Sequence, residues 1–242
     1  MASPLVLCYH AVSATWSHRL SIPPETLERQ LRQLLARRFR PVPASEAVAG
    51  RGRVLHVTFD DAFVSVVDAL PALERLGVPA TVFACPGFAG RPLAVPELAA
   101  EAAEHPDELR TMDWPELDEL ARRGVEIGSH TVGHPHLPRL SDAELRRELV
   151  DSRAELEDRL GRPCRYLAYP FGDEDPRVHR VAAEAGYDAA FALPGDERRP
   201  NRFAVPRVGV YPRDNDLRLA LKTTAALRRP AASLLRAAGR RR

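Results

Sequence analysis

The stretch VLHVTFDDAFVSVVDALPALERLGVPATVFA, residues 54–84, decides the fold class. It begins as an apolar strand, Val54–Phe59, continues into a helical pattern over residues 66–76, and ends in a second strand over residues 79–84. Gly77 closes the helix, because glycine readily adopts the left-handed conformation that ends helices. A strand, a helix and another strand in such close succession form the building unit of a parallel sheet.

The same alternation runs along the rest of the chain. It predicts an α/β fold with a parallel sheet and helices outside it. At 242 residues, one barrel-like domain is favoured over an open doubly wound sheet, and no glycine-rich phosphate loop opens a helix. Further strands are predicted at Leu5–Tyr9, 125–127, 166–169, Ala189–Ala192 and 205–210, and further helices at 25–38, 115–123, 141–160 and 177–185.

The composition is that of a soluble globular protein, with 45% hydrophobic and 28% charged residues. No apolar run reaches the roughly 18 residues that a membrane span requires. Residues 1–12 do not resemble a signal peptide, so we expect a cytoplasmic protein. Three scattered cysteines are too few for a disulfide framework or a zinc knuckle, and we expect them to be core thiols.

Charge is distributed unevenly along the chain, although the net charge is only +2. Residues 217–242 hold eight basic residues and no acid, which leaves 27 basic against 33 acidic residues in 1–216. A mildly acidic body argues against nucleic-acid binding. We therefore divide the chain into a domain over 1–216 and an Arg-rich helix or tail over 217–242. This tail either contacts the inner face of an anionic membrane weakly or is a solvated end.

Polar residues follow several of the predicted strands, and the first such group is Asp60 with Asp61. Adjacent carboxylates repel each other unless they share a cation or a proton. The structural alternative is that one aspartate caps the next helix. The pair alone does not decide between these interpretations.

His130 and His134 form the second group, after the strand at 125–127. Two neutral imidazoles suit zinc and other borderline metals. With one aspartate they would leave coordination positions open for water and substrate, and the other aspartate can act as a base. Surface histidines also recur by chance in a chain with eight of them, and we interpret His136 as a neighbour, not a ligand.

Two weaker groups complete the set. Pro170 and Gly172 fix a sharp loop that can aim a backbone N–H at an oxyanion, although the same residues are ordinary turn formers. His10 follows the first strand, where it is either a general acid or a structural histidine.

In combination, these groups resemble the polysaccharide deacetylase family, the NodB homology domain of carbohydrate esterase family four. The resemblance covers roughly residues 5–212 and implies a distorted TIM-like barrel of about seven β/α units in a single domain. It also implies a metal-dependent hydrolase, with zinc as the expected ion, that removes N-acetyl groups from a sugar or polysaccharide. The matching motifs are Thr58-Phe59-Asp60-Asp61, Gly128-Ser129-His130-Thr131 with His134-Pro135, and Tyr169-Pro170-Phe171-Gly172.

The resemblance assigns roles to individual residues. Asp61, His130 and His134 match the metal ligands, and Asp60 matches the catalytic base. The loop at Phe171 matches the segment whose backbone N–H helps to hold the oxyanion.

The sequence departs from the family pattern at three points. Ala168 stands where the family has an arginine that orients the catalytic aspartate, and we predict that Arg207 replaces it. The late Leu-x-His motif of the general acid is absent. Circularly permuted members of the poly-N-acetylglucosamine deacetylase type carry this histidine in an early Tyr-His, which Tyr9 and His10 match. The Trp-bearing groove motif is not recognisable.

Two other classes of protein remain open. Two histidines and a carboxylate also form the facial triad of non-haem iron oxygenases, which would require a jelly-roll strand pattern. A carbohydrate-binding domain with weakened catalysis would fit the departures. The substrate is equally open among poly-N-acetylglucosamine, chitin-like oligomers, peptidoglycan, a lipid-linked sugar and a small N-acylated metabolite.

Overall fold

A computed structural model of the chain describes residues 4–193 and 201–224. The strands are β1 (Leu5–Tyr9), β2 (Ala11–Val12), β3 (Ser21–Ile22), β4 (Arg40–Pro41), β5 (Val54–Phe59), β6 (Ala80–Ala84), β7 (Glu126–Ser129), β8 (Tyr166–Ala168), β9 (Ala189–Ala192), β10 (Val205–Pro206) and β11 (Val208–Gly209). The α-helices are α1 (Pro24–Ala36), α2 (Ala44–Val48), α3 (Leu70–Leu76), α4 (Ala99–Glu104), α5 (Trp114–Arg122), α6 (Asp142–Leu160), α7 (Pro176–Glu184) and α8 (Asp216–Lys222). Short 3-10 helices lie at Val64–Ala69, Pro86–Phe88, Pro96–Leu98, Leu137–Arg139 and Pro170–Gly172.

The main sheet is parallel and nearly closed on itself. Its order is β10-β9-β8-β7-β6-β5-β1-β11, with β4 added beside β5, while β2 and β3 pair separately. Although β10 and β11 lie at opposite ends of this order, only Arg207 separates them in the chain. The Arg207 N–H donates to the Ala192 carbonyl at 3.1 Å, and the Val210 N–H donates to the Cys8 carbonyl at 2.9 Å. One interrupted strand therefore bridges both ends, and the predicted distorted (β/α)7 TIM-like barrel is confirmed.

Alternate residues of the strands face the barrel interior and the surrounding helices. On β1, Leu5 and Leu7 pack in the same cluster as Leu27 and Leu31 of α1, outside the barrel. Val6 belongs to the interior cluster, together with aromatic residues of β6, β8 and β9. Residues of α2 pack in this interior cluster as well, so α2 covers the amino-terminal end of the barrel. The carboxyl end is left for the polar groups, as in other barrels of this type.

Local sequence signals set the helix ends. The Ser141 side chain accepts the Glu144 N–H in a capping box that begins α6, and Gly161 ends it with a φ of 62°. The helix predicted over 66–76 is shorter than expected, because Val64–Ala69 forms a 3-10 helix and α3 begins only at Leu70. Pro71 explains the change, since it lacks an N–H and fits only the first turn of an α-helix.

Residues 86–113, for which the sequence predicts no strand or helix, pack beside the carboxyl end of the barrel. Residues 86–113 contain two 3-10 helices and α4. Leu93 and Leu98 pack there with Trp16 and Phe63 in a separate apolar cluster. The apolar residues of this segment are too irregularly spaced to give a periodic signal, so its structure depends on tertiary contacts with the loop after β1.

The carboxyl-terminal helix of the described chain packs on α1. Leu219 is buried, and the Arg37 Nη1 donates to Thr223 Oγ1 at 2.6 Å. The predicted boundary between residues 216 and 217 lies inside α8, and the predicted tail beyond residue 224 lies outside the described residues. Among the helices described, none is both long enough and apolar enough to cross a membrane.

Candidate active site

Asp60 and Asp61 lie at the carboxyl end of β5, buried at the mouth of the barrel. The Asp60 N–H donates to the Tyr9 carbonyl at 2.9 Å, so this residue continues the β1–β5 ladder. The chain then turns sharply, with φ values of 70° at Asp61 and 50° at Ala62. The next helix begins at Val64 without a side-chain cap, so the capping interpretation of the acidic pair is wrong.

His130 follows β7 and projects to the same end of the barrel. Its Nδ1 lies 2.8 Å from the Ala168 carbonyl, which can only accept a hydrogen bond. Nδ1 therefore carries the proton, and Nε2 keeps a free lone pair. Burial lowers the pKa of His130 to about 4, so the ring is neutral at physiological pH.

His134 is brought to His130 by a tight turn, not by a helix. Thr131 and His134 have φ values of 70° and 58°, and the His134 N–H donates to Thr131 Oγ1 at 3.0 Å. Both imidazoles converge on one oxygen: Asp61 Oδ1 lies 3.6 Å from His130 Nε2 and 3.3 Å from His134 Nε2.

The residues Asp61, His130 and His134 fit a divalent metal ion. One ligand atom from each lies within 4.8 Å of the other two, and all three side chains are buried. Asp61 Oδ1 has no hydrogen-bond partner, which is costly for a buried carboxylate unless a cation is bound. Two imidazole nitrogens and one carboxylate oxygen form a typical three-ligand catalytic zinc set that leaves positions for water and substrate.

Asp60 is held by Arg207, the residue that separates β10 from β11. The guanidinium binds both carboxylate oxygens, at 2.6 Å and 2.9 Å, and also donates to Thr58 Oγ1 at 3.1 Å. Burial raises the pKa of the Asp60 carboxyl, but the charge and hydrogen bonds of Arg207, together with the neighbouring histidines, outweigh burial and hold the pKa below its ordinary value. The structure thus places the predicted Arg207 against Asp60. Ala168, at the position of the family arginine, has no charged side chain to do this.

His10 and Cys8 lie on the other side of Asp60. One ligand atom from each of the three residues lies within 4.8 Å of the others, and Cys8 Sγ is 3.3 Å from Asp60 Oδ2. His10 is half-buried, and its Nδ1 has no hydrogen-bond partner. A second cation among these three residues is unfavourable, because Arg207 already neutralises both oxygens of Asp60.

The Phe171 loop covers the edge of the histidine pair. Phe171 has a φ of 59° and is 39% exposed, and its ring centroid lies 4.6 Å from that of His134. Its other ring contact is a 4.0 Å stack on His136. His136 itself pairs with Asp173 at 2.5 Å, not with the Asp61 cluster.

Backbone strain is concentrated at this site. Among the described residues, six that are not glycine have a positive φ. Only Arg38 lies outside the site. Strained backbone conformations persist where contacts with the surrounding structure hold them in place, and they are common at functional sites. The five at the site are Asp61, Ala62, Thr131, His134 and Phe171.

Sequence reasoning missed two polar contacts of the site. Cys8 was expected to be a plain core thiol; it is buried, but it faces Asp60. The period of two along a strand was the available signal, because it places Cys8 on the same face as His10. Glu148 of α6 contacts the turn between the histidines, and no spacing in the sequence indicates this.

Comparison with known proteins shows the family of this chain. The polysaccharide deacetylase family matches residues 47–190, more than half of the chain, and that range includes Asp60, Asp61, His130 and His134. The chain belongs to the polysaccharide deacetylase family. This deacetylase-family chain is 24% identical over 217 residues to a protein of Bacillus subtilis (strain 168) named as a polysaccharide deacetylase, YxkH, covering 86% of this chain and 71% of YxkH.

Two solved structures share the fold of this family member. The deacetylase PplD of Streptococcus pyogenes, in complex with acetate, has a TM-score of 0.76 at 19% identity and covers 92% of this chain and 99% of its own. IcaB from Ammonifex degensii has a TM-score of 0.75 at 24% identity and covers 95% and 98%.

Proposed function

We propose that this protein is a metal-dependent N-deacetylase that hydrolyses the acetamide of an N-acetylated sugar or polysaccharide. The observation that carries the proposal is the convergence of Asp61, His130 and His134 beside a second carboxylate, Asp60, that is held separately by Arg207. A divalent ion bound by the first three residues, for which zinc is the proposed identity, would acidify a water molecule and polarise an acyl oxygen.

Asp60 is the proposed general base. It is ionised at neutral pH, because Arg207 lowers its pKa, and it is therefore ready to accept a proton from the attacking water. The two Arg207 hydrogen bonds also fix the plane of the carboxylate, so the accepting oxygen keeps one orientation. The oxygen of that water forms a bond to the acyl carbon.

His10 and Phe171 are assigned to the later stages. The C–N bond breaks when the nitrogen gains a proton, and His10, next to Asp60, is the proposed donor. The Phe171 backbone N–H is the proposed donor to the negative acyl oxygen, a contact whose loss typically costs about 3 kcal/mol of barrier. The products are acetate and a free amine.

Acetate as the released acid is supported by the Streptococcus pyogenes neighbour, a deacetylase whose structure contains acetate. For the acetylated partner we propose a glycan or sugar, from poly-N-acetylglucosamine or chitin-like oligomers to peptidoglycan or a lipid-linked sugar. The family supports an acetylated carbohydrate and leaves this choice to experiment.

The competing classes are weaker on specific grounds. A non-haem iron oxygenase would have a jelly roll, whereas this chain forms a parallel α/β barrel. A binding domain with decayed catalysis would have no need of a buried arginine that orients Asp60, and the buried Arg207 forms an ion pair with Asp60, which supports its proposed role in place of the family arginine.

The test is acetate release from a panel of these glycans, measured anaerobically and without 2-oxoglutarate. Protein loaded with zinc should release acetate, and chelator-treated protein should not until the ion is returned. Oxygen-dependent turnover would point to the oxygenase class. Saturable glycan binding with no acetate from any member of the panel would favour the binding domain.

We also propose that the basic end of the chain contacts an anionic membrane surface. Leu217 and Leu221 are 69% and 48% exposed and lie four residues apart on α8, at the start of the Arg-rich segment 217–242. Each basic charge near such a surface is worth about 1 kcal/mol. Cosedimentation with anionic vesicles should fall on truncation after residue 224 and on Leu217→Ser with Leu221→Ser, but not with Val150→Ser. Unchanged binding by the truncated protein would remove the proposal.

A further inference from the structure

The turn that carries the two histidines is held from the side by a carboxylate of α6. Glu148 Oε2 accepts the Val132 N–H at 2.8 Å and the Gly133 N–H at 2.9 Å. These are two of the three residues between His130 and His134. A charged acceptor makes both bonds stronger than ordinary amide hydrogen bonds.

The opposite side of the turn is held by backbone. The Gly87 N–H donates to the Val132 carbonyl at 3.0 Å. A Cβ on Gly87 would lie 2.4 Å from that oxygen, so only glycine allows this approach. The peptide groups around Val132 are therefore fixed on both sides, by Glu148 and by Gly87.

This turn has a conformation that it would not keep unaided. Thr131 and His134 are both in the left-handed region, which is unfavourable for residues with a Cβ. Glu148 is well placed to oppose relaxation, because it lies one turn from the buried Leu145 and Ser152, on a helix of 19 residues that packs against β7.

We infer that Glu148 is a positioning residue that fixes the separation of the two histidine nitrogens for a metal ion. It contacts neither histidine side chain and acts only through the Val132 and Gly133 amides. The inference rests on the proposed metal site of the same turn. Outer partners of this kind typically change metal affinity by roughly 10- to 100-fold when removed.

The test compares Glu148→Ala with Glu148→Gln, whose amide oxygen can still accept the two hydrogen bonds. Asp151→Ala, on the exposed face of α6, is the matched control. Zinc affinity is measured by competition with a chelator. We expect a loss of roughly 10- to 100-fold for Glu148→Ala, near-parental affinity for Glu148→Gln, and no change for Asp151→Ala. The absorption spectrum of the cobalt-substituted protein should change only for Glu148→Ala.

A second measurement needs no metal and no activity. In metal-free protein, hydrogen exchange at Val132 and Gly133 should accelerate in Glu148→Ala and stay slow in Glu148→Gln. If Glu148→Ala does not fold, Gly87→Ala perturbs the same turn from the other side and should weaken zinc binding similarly.

Zinc affinity of Glu148→Ala equal to that of Asp151→Ala would overturn the inference, as would a Glu148→Gln protein as impaired as Glu148→Ala. If the parent protein binds no metal, the proposed function fails, whereas the exchange result still reports whether Glu148 holds the turn.

Discussion

His56 and His130 are alike in burial and pKa but differ in the hydrogen bonding of their ring nitrogens. His56 of β5 and His130 after β7 are both almost completely buried, and burial lowers the pKa of each to about 4. His56 has both nitrogens paired, with the Val42 carbonyl at 2.9 Å and Thr81 Oγ1 at 2.9 Å. His130 pairs only Nδ1 and presents Nε2 to Asp61.

The difference shows that burial and a shifted pKa do not identify a functional histidine in this protein. Both properties follow from removing an imidazole from water, whatever the ring does afterwards. The distinguishing feature is a ring nitrogen that faces an unpaired carboxylate oxygen, Asp61 Oδ1, because a folded protein rarely leaves a buried carboxylate oxygen without a partner. His56 belongs to the scaffold and His130 to the site.

The sharpest test of this comparison replaces each histidine with glutamine. We expect His130→Gln to lower zinc affinity by more than the roughly 100-fold that loss of an outer partner can cost, and to abolish deacetylation. His56→Gln should leave zinc affinity within about threefold and act only on stability. Equilibrium dialysis with zinc measures both. Equal losses of affinity in the two variants would break the distinction between scaffold and site.

The next prediction separates metal binding from proton transfer within the site. Asp60→Asn removes the proposed base but leaves Asp61, His130 and His134 in place. Turnover should fall by roughly 10²- to 10⁴-fold, the usual contribution of a general base. The zinc content should remain near that of the parent. A variant that keeps its metal and most of its turnover would show that Asp60 is not the base.

Much of the fold could be predicted from sequence, because strand and helix signals are local. Leu5–Tyr9, Val54–Phe59 and Ala189–Ala192 are strands with the predicted bounds. The strand predicted over 205–210 is interrupted at Arg207, since its two halves pair with different ends of the sheet. Such an interruption is set by barrel closure and has no local signal.

The candidate site also contains residues that local sequence patterns predict and a residue that depends on tertiary contacts. Asp60, Asp61, His130 and His134 could be named because they follow strands and lie in recognisable motifs. The structure brings all four together, and places His10 and Arg207 against Asp60. The contact of Glu148 with the histidine turn could not be predicted from sequence. Its carboxylate accepts backbone N–H groups, which every residue except proline has, so no residue type in the turn indicates it.

A third prediction concerns the paired charges beside His130. Removing one member of a buried ion pair strands the other charge, which costs about 3–5 kcal/mol. Arg207→Met should therefore lower the free energy of unfolding by that amount, and Asp60→Asn by a similar amount. The double variant should recover most of the loss, since neither charge remains. Additive losses in the double variant would contradict a direct interaction between the pair.

The same pair has a defined pH dependence. The pKa of Asp60 in the folded protein lies below its unfolded value of about 3.9. Its contribution is therefore fully present above about pH 4 and is lost as the pH falls further. In the double variant this acid-dependent loss should be absent, which urea unfolding at a series of pH values can measure.

The smallest effect concerns His56 alone. Its pKa is about 4 in the folded protein and 6.5 as a free side chain, so the unfolded chain binds a proton first as the pH falls. Stability should decline from about pH 6.5 to about pH 4 and then level off, by about 3 kcal/mol for a shift of this size. In His56→Gln this component should vanish, while components shared with the parent, including that of His130, cancel in the difference between the two proteins. Parallel stability profiles would mean that His56 has the same pKa in the folded and the unfolded protein, and that burial and its two short contacts do not favour the neutral ring.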